Sequence, residues 1–135
     1  FRDVSAARFR MLLNSTWLWI TAAAALGSWC VHTFVGAPRI LPSLAASNLA
    51  PMPRNVLYFV WHIATLLLLA FPVTYALAAL YPWAWPLAIE STVLCALIAA
   101  LIGAVAITRR MAFMDMPQWT LFLLVAILGT CAVIL

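Results

Sequence analysis

The chain has 135 residues, 68% of them hydrophobic and 7% charged, with a mean hydropathy of +1.14. Soluble domains carry about 45–50% apolar and about 25% charged residues, so the composition argues against a water-soluble fold. The formal charge of +4 reflects seven basic residues, all arginine, against three acidic ones. These arginines lie in flanks and loops and form no clustered face, which excludes a nucleic-acid partner and fits anchors facing anionic headgroups.

The length divides into four apolar runs of about 20 residues with short connections, an all-α bundle of four transmembrane helices in one domain covering 1–135. Residues 1–10, with Arg2, Asp3, Arg8 and Arg10 around Phe1 and Phe9, fit a short interfacial helix leading into the first span. That span is expected over about 11–35. It is longer than a signal-peptide core and no small-residue cleavage pattern follows, so it is expected to stay as an anchor. Trp17 and Trp19 suit interface depth. Ala23 and Gly27 have the small-x-x-x-small spacing that lets membrane helices approach closely.

The longest connection is expected over 36–54, where Gly36, Pro38, Pro42, Pro51 and Pro53 stop helix propagation and Arg39 and Arg54 mark the headgroup level. Within it, Ser43 to Ala50 is compatible with one or two helical turns, folded over the bundle. The second span, about 55–80, contains Pro72, whose freed carbonyl needs a neighbour or a hydroxyl such as that of Thr74. An uncharged aromatic turn at 81–86 stays at the interface. The third span, about 87–107, carries Ala96, Ala99, Ala100, Gly103 and Ala104. These small residues match the middle of the first span and predict contact between the two helices. Arg109 and Arg110 close it, Asp115, Pro117, Gln118 and Trp119 follow, and the fourth span covers 119–135. Arginines divide almost evenly between the two faces, so charge barely orients the chain; the N-terminus is placed inside. The expected location is a multi-pass protein of the bacterial inner membrane.

The chemistry-bearing residues are few. Cys30, Cys95 and Cys131 are widely spaced and read as free thiols behaving like small apolar side chains. His32 lies near the end of the first span and His62 about seven residues into the second, depths that differ by about one turn, so the two rings could meet or share a ligand. A haem b between two neutral imidazoles is the sharpest version. A metal site would want further donors, and Asp115 and Met52 are available only through loops. With Trp29 and Trp61 beside the histidines, a quinone-like or lipid headgroup ligand is a further option. The plain alternative is that each histidine hydrogen-bonds a carbonyl or hydroxyl, for example at Thr33 or Thr65. His32, His62, Trp29 and Trp61 are therefore the candidate binding residues, with no catalytic or metal residue assigned. Glu90, early in the third span, suits the positive end of a helix dipole and could reach headgroups or Arg10. No nucleophile–base pair, phosphate loop or paired carboxylate is present.

The run His32-Thr33-Phe34-Val35-Gly36-Ala37-Pro38, followed by Tyr58-x-x-Trp61-His62, resembles a group of small four-helix bacterial integral membrane proteins with no established activity. The resemblance spans roughly half of the chain, its first two spans and their loop, and implies topology and one local unit around the histidines. Its pattern has two glycines before the proline where this chain has Gly36-Ala37. With catalytic groups scarce and apolar surface abundant, the expected function is a non-enzymatic integral subunit packing laterally among lipids and other membrane subunits of a larger complex. The alternative is a haem b, metal or quinone-binding protein using His32 and His62.

Overall fold

A computed structural model describes residues 2–112 and 118–134, with side chains from Asn14 onward. Asp115 and Pro117 lie outside the described residues, as do the side chains of the N-terminal arginines. Helix α1 (Arg2–Cys30) leads into a π-helical turn (Val31–Gly36) and straight on into α2 (Ala37–Ala45). Helix α3 (Pro51–Leu80) and, after a single 3₁₀ turn (Pro82–Ala84), α4 (Trp85–Thr108) and α5 (Gln118–Ile134) complete the chain. Three stretches, Asn14–Ala45, Pro51–Leu80 and Pro82–Thr108, are long and apolar enough to cross a membrane, and α5 is a shorter apolar helix. The protein is an all-α, multi-pass membrane bundle.

The helix does not stop at Gly36 and Pro38, contrary to the expectation from proline chemistry. Pro38 has no N–H and its ring crowds the carbonyl four residues back, which normally breaks a helix. Here the turn just before it is widened, with the Ala37 N–H bonded to the His32 carbonyl five residues back. A π turn of this kind absorbs the misfit without ending the helix. The connection shrinks to residues 46–50, and no loop roofs the histidines. Pro51 and Pro53 sit in the first turn of α3, where a missing N–H costs nothing. Residues 2–10 are helical and continuous with α1 rather than a separate interfacial helix.

Around the bundle α1 packs against α3 and α5, and α4 packs against α5 and α3. Helices α1 and α4, the first and third spans, therefore face each other across the diagonal, so their expected close contact through small residues is not formed. Ala23 and Gly27 are exposed, and a side chain at Gly27 or Gly103 would meet nothing within 4 Å. The close approach occurs at Gly129 in α5 instead. A Cβ there would come 2.7 Å from the Tyr75 hydroxyl and closer still to Thr92 Oγ1.

Those two hydroxyls form the polar centre of the core. Thr92 Oγ1 donates to the Ala88 carbonyl at 2.8 Å, so its lone pairs receive the Tyr75 O–H, also at 2.8 Å. One residue earlier on each helix, Thr74 Oγ1 donates to the Phe71 carbonyl and accepts from Ser91 Oγ, both at 2.8 Å. Thr74 thus serves the Phe71 carbonyl rather than the Leu68 carbonyl that Pro72 leaves free. Both hydroxyl pairs join α3 to α4. Leu18, Phe71, Cys95 and Val125 pack around them as apolar core. Cys30 and Cys131 are half-buried, and all three thiols are free.

Helix α4 ends with Arg110 in the left-handed conformation at φ 52°. The Met111 N–H bonds to the Ala106 carbonyl at 2.9 Å and the Arg110 N–H to the Ile107 carbonyl at 3.1 Å. This is a Schellman ending with arginine where glycine is usual.

Gly129→Ala should lower stability. Helix propensity favours alanine by about 1 kcal/mol, but overpacking two hydrogen-bonded hydroxyls costs roughly 1–3 kcal/mol. The expected outcome is a lower Tm in detergent. Arg110→Gly should raise it, because relief of the left-handed penalty, about 1–2 kcal/mol, exceeds the added chain entropy of roughly 0.5–1 kcal/mol.

Candidate functional site

The π turn meets α3 at one threonine. Thr65 Oγ1 donates its single proton to the Trp61 carbonyl at 2.9 Å, as hydroxyls in membrane helices commonly do. His32 Nε2 lies 3.2 Å from the same oxygen. With the threonine proton committed, the hydrogen-bond inventory assigns the proton of this contact to His32 Nε2, leaving Nδ1 as a bare acceptor. The Thr65 carbonyl also receives the Trp29 indole N–H at 3.1 Å. One residue of α3 therefore holds both polar side chains that α1 and the π turn direct at it.

Aromatic contacts complete the unit. The His32 ring lies flat on Trp61, with centroids 4.2 Å apart and planes 15° apart. Trp61 in turn approaches Gly36, where a Cβ would sit 3.2 Å from the indole. Trp29 meets Phe34 edge-on at 5.9 Å.

Of the four sequence candidates, the structure gathers His32, Trp29 and Trp61 around Thr65, and leaves His62 out. His62 is exposed on the outer side of α3, edge-on to Tyr58 one turn earlier at 4.5 Å. The two histidines lie at similar depth along adjacent helices, as expected, but consecutive helical residues point about 100° apart, so Trp61 and His62 cannot both face His32. No two-histidine axial pair is formed. Among the described residues no three His, Cys, Asp or Glu side chains come together. Met52 is 74% exposed at the start of α3. Glu90 is exposed on α4, away from the site, and the Thr74 and Ser91 hydroxyls bind each other.

Beside the stacked pair lies a cavity of about 320 Å³ between the π turn, α2, α3 and α5. His32 and Trp61 line one side, Val31, Val35, Leu121 and Phe122 supply apolar wall, and Arg39 and Gln118 supply further polar groups. Gln118 Oε1 is buried with no hydrogen-bond partner among the described residues. Trp29 and His62 do not line this space. Sequence reasoning missed Gln118 as a site residue. The available signal was a lone amide entering an apolar helix, which a bilayer tolerates only if something satisfies it. It also treated Arg39 chiefly as a headgroup anchor, with binding of a phosphate or an acidic loop as the lesser role.

No family model, curated protein or solved structure matches this chain. The site's chemistry therefore rests on its own residues.

Thr65→Val keeps the shape but removes the acceptor for His32 and the donor to Trp61. Hydrogen bonds between membrane helices average about 0.6 kcal/mol and reach about 1.7 kcal/mol, so the variant should lose roughly 1 kcal/mol. It should also show a shifted indole emission as His32 comes away from Trp61. Thermal unfolding in detergent and tryptophan fluorescence check both effects.

Proposed function

We propose that this chain is a non-catalytic binding protein of a bacterial inner membrane, taking the polar head of an amphiphile into the cavity beside His32 and Trp61. The observation that carries this reading is the mixture of groups around the roughly 320 Å³ cavity, mostly apolar with His32, Gln118 and Arg39 at separate points. Ligand sites have this make-up, apolar walls giving affinity and a few polar groups fixing orientation. A molecule with a polar head and an apolar tail, quinone-like or lipid, satisfies both and reaches the site through the bilayer. A two-histidine haem b is not the supported form, because His62 faces away.

A second reading, a lateral subunit of a larger membrane complex, has its own support. His62 and Tyr58 lie on the outer face of α3, and His62 is about 12 Å along the helix from Arg54 at 1.5 Å per residue. A polar ring on the surface of a membrane helix at that depth is costly in lipid and is relieved by a neighbouring helix. Binding an amphiphile and packing in a complex are compatible roles.

Native mass spectrometry of the protein released from mild detergent tests the first reading. The wild type should carry an amphiphile of fixed mass. Leu121→Trp, which fills the cavity, and His32→Ala should each cut its occupancy at least about tenfold, a change of roughly 1.4 kcal/mol. His62→Ala should leave it unchanged. A wild-type protein stripped of every small molecule, yet stable and monomeric, would defeat the proposal.

A further inference from the structure

Resting on that reading, we infer that the cavity selects a single-tailed amphiphile with an oxyanion head, a carboxylate or a phosphate, over neutral amphiphiles bearing the same tail. The lining residues Ser28, His32, Gly36 and Arg39 follow one another at steps of four, four and three along the continuous helix, so the space extends for roughly 16 Å beside it. Its inner end is apolar. Leu68 lies one turn beyond Thr65 on α3, and Phe122 meets the core ring of Phe71 edge-on at 6.5 Å. The polar groups at this depth have spent their protons, Ser28 Oγ on the Ala24 carbonyl at 3.0 Å and His32 Nε2 on Thr65 Oγ1 at 3.2 Å.

The outer end holds the free donors. Arg39 offers its guanidinium fork and has no acidic partner among the described residues. Trp61, packed on Gly36, has an indole N–H that bonds to nothing among the described residues. Gln118 Oε1 is closed off, so the polar atom that this side chain brings to the wall is Nε2 with its two N–H groups. The charge around this end has one sign. Arg54 in the first turn of α3 and Arg109 and Arg110 at the end of α4 stand with Arg39. Glu90, the one acidic side chain described, is five residues into α4, at the opposite end of the bundle. Such a field raises the local concentration of anions.

An oxyanion can accept from each of these donors, and the planar guanidinium of Arg39 takes two of its oxygens in bonds strengthened by charge. A neutral ester or hydroxyl brings fewer lone pairs and leaves the cation unmatched. The volume of about 320 Å³ lies near the bottom of the range of about 300–1,000 Å³ for small-molecule sites, which fits one chain rather than the two of a bulk phospholipid. The tail runs inward from Arg39 towards Leu68 and Phe122.

Two kinds of membrane molecule share this chemistry, a free fatty acid and a lysolipid ending in a phosphate monoester. The test measures binding of dodecanoate, dodecyl phosphate, methyl dodecanoate and dodecanol to the full chain in phosphatidylcholine nanodiscs, with uptake by empty nanodiscs subtracted. The pH is set to keep both anionic heads ionised. The expected result is that at least one anion binds at least about tenfold more tightly than both neutral probes, and that this advantage shrinks as salt is raised. Preference for dodecanoate identifies a fatty acid as the source, and preference for dodecyl phosphate identifies a phosphate lysolipid.

Three variants locate the effect. Arg39→Gln should shrink the preference for anion over neutral probe at least threefold, and Arg39→Lys, which keeps the charge, should retain most of it. Arg109→Gln removes a cation from the same end of the bundle but not from the cavity wall, and should leave the preference within about twofold. A loss in Arg109→Gln as deep as in Arg39→Gln would mean attraction by the surface as a whole and overturns the inference. Equal or tighter binding of the neutral probes overturns it while leaving amphiphile binding intact. Failure to bind any amphiphile overturns the functional reading itself.

Discussion

Proline 38 sets the constraint on which the site depends. Pro42 and Pro72 are held inside the α-helices α2 and α3, whereas the turn just before Pro38, from Val31 to Gly36, is widened, which relieves the crowding of its ring against the carbonyl four residues earlier. The helix survives, and α2 continues the line of α1. Because the chain stays helical, His32, Gly36 and Arg39 fall on one side at spacings of four and three and come to line a single cavity. A break at Gly36 would have scattered them. The widened turn also positions Gly36 against the Trp61 ring, where any side chain would intrude at 3.2 Å.

The interior is joined by hydroxyls used twice. Thr65, Thr74 and Thr92 each spend a proton on a carbonyl of their own helix and accept from another helix with the same oxygen. In a medium without water this is economical, since no polar atom waits for solvent and each bond across the bundle also satisfies a local group. Tyr75 and Ser91 donate to two of these threonines and tie α3 to α4, while His32 donates to the third and ties the π turn to α3. Thr33 Oγ1 and Gln118 Oε1 depart from this accounting among the described residues, the second in a residue that lines the cavity.

What the sequence disclosed followed from composition and from local rules. The membrane class, the helical fold and the aromatic turn, where Tyr81 stacks on Trp83 at 6.1 Å, were all readable from hydropathy and residue type. The end of the first helix was misjudged because proline rules assume α geometry, and a π turn escapes them. The pairing of small residues failed for a different reason. Ala23, Gly27 and Gly103 have suitable spacing, but spacing says nothing about which helices are neighbours, and a ring order of α1, α3, α4, α5 put them apart. Gly129 carries the close packing, in a helix where alanines three residues away on either side gave a fainter signal. At the site, depth was legible and direction was not: His62 matches His32 in height, yet Trp61 occupies the inward position beside it.

Helix α3 outreaches the bilayer. With 30 residues it is roughly 45 Å long, and α4 with 24 residues is roughly 36 Å, against a hydrocarbon layer of about 30 Å. A thin membrane makes α3 tilt or protrude further than α4, and a thicker one covers more of both. Trp61 of α3 sits on the cavity wall, so the depth at which lipid meets that cavity varies with this accommodation. Bilayer thickness thereby becomes a physical variable acting on the entrance, and the same bundle would present it differently in membranes of different lipid length.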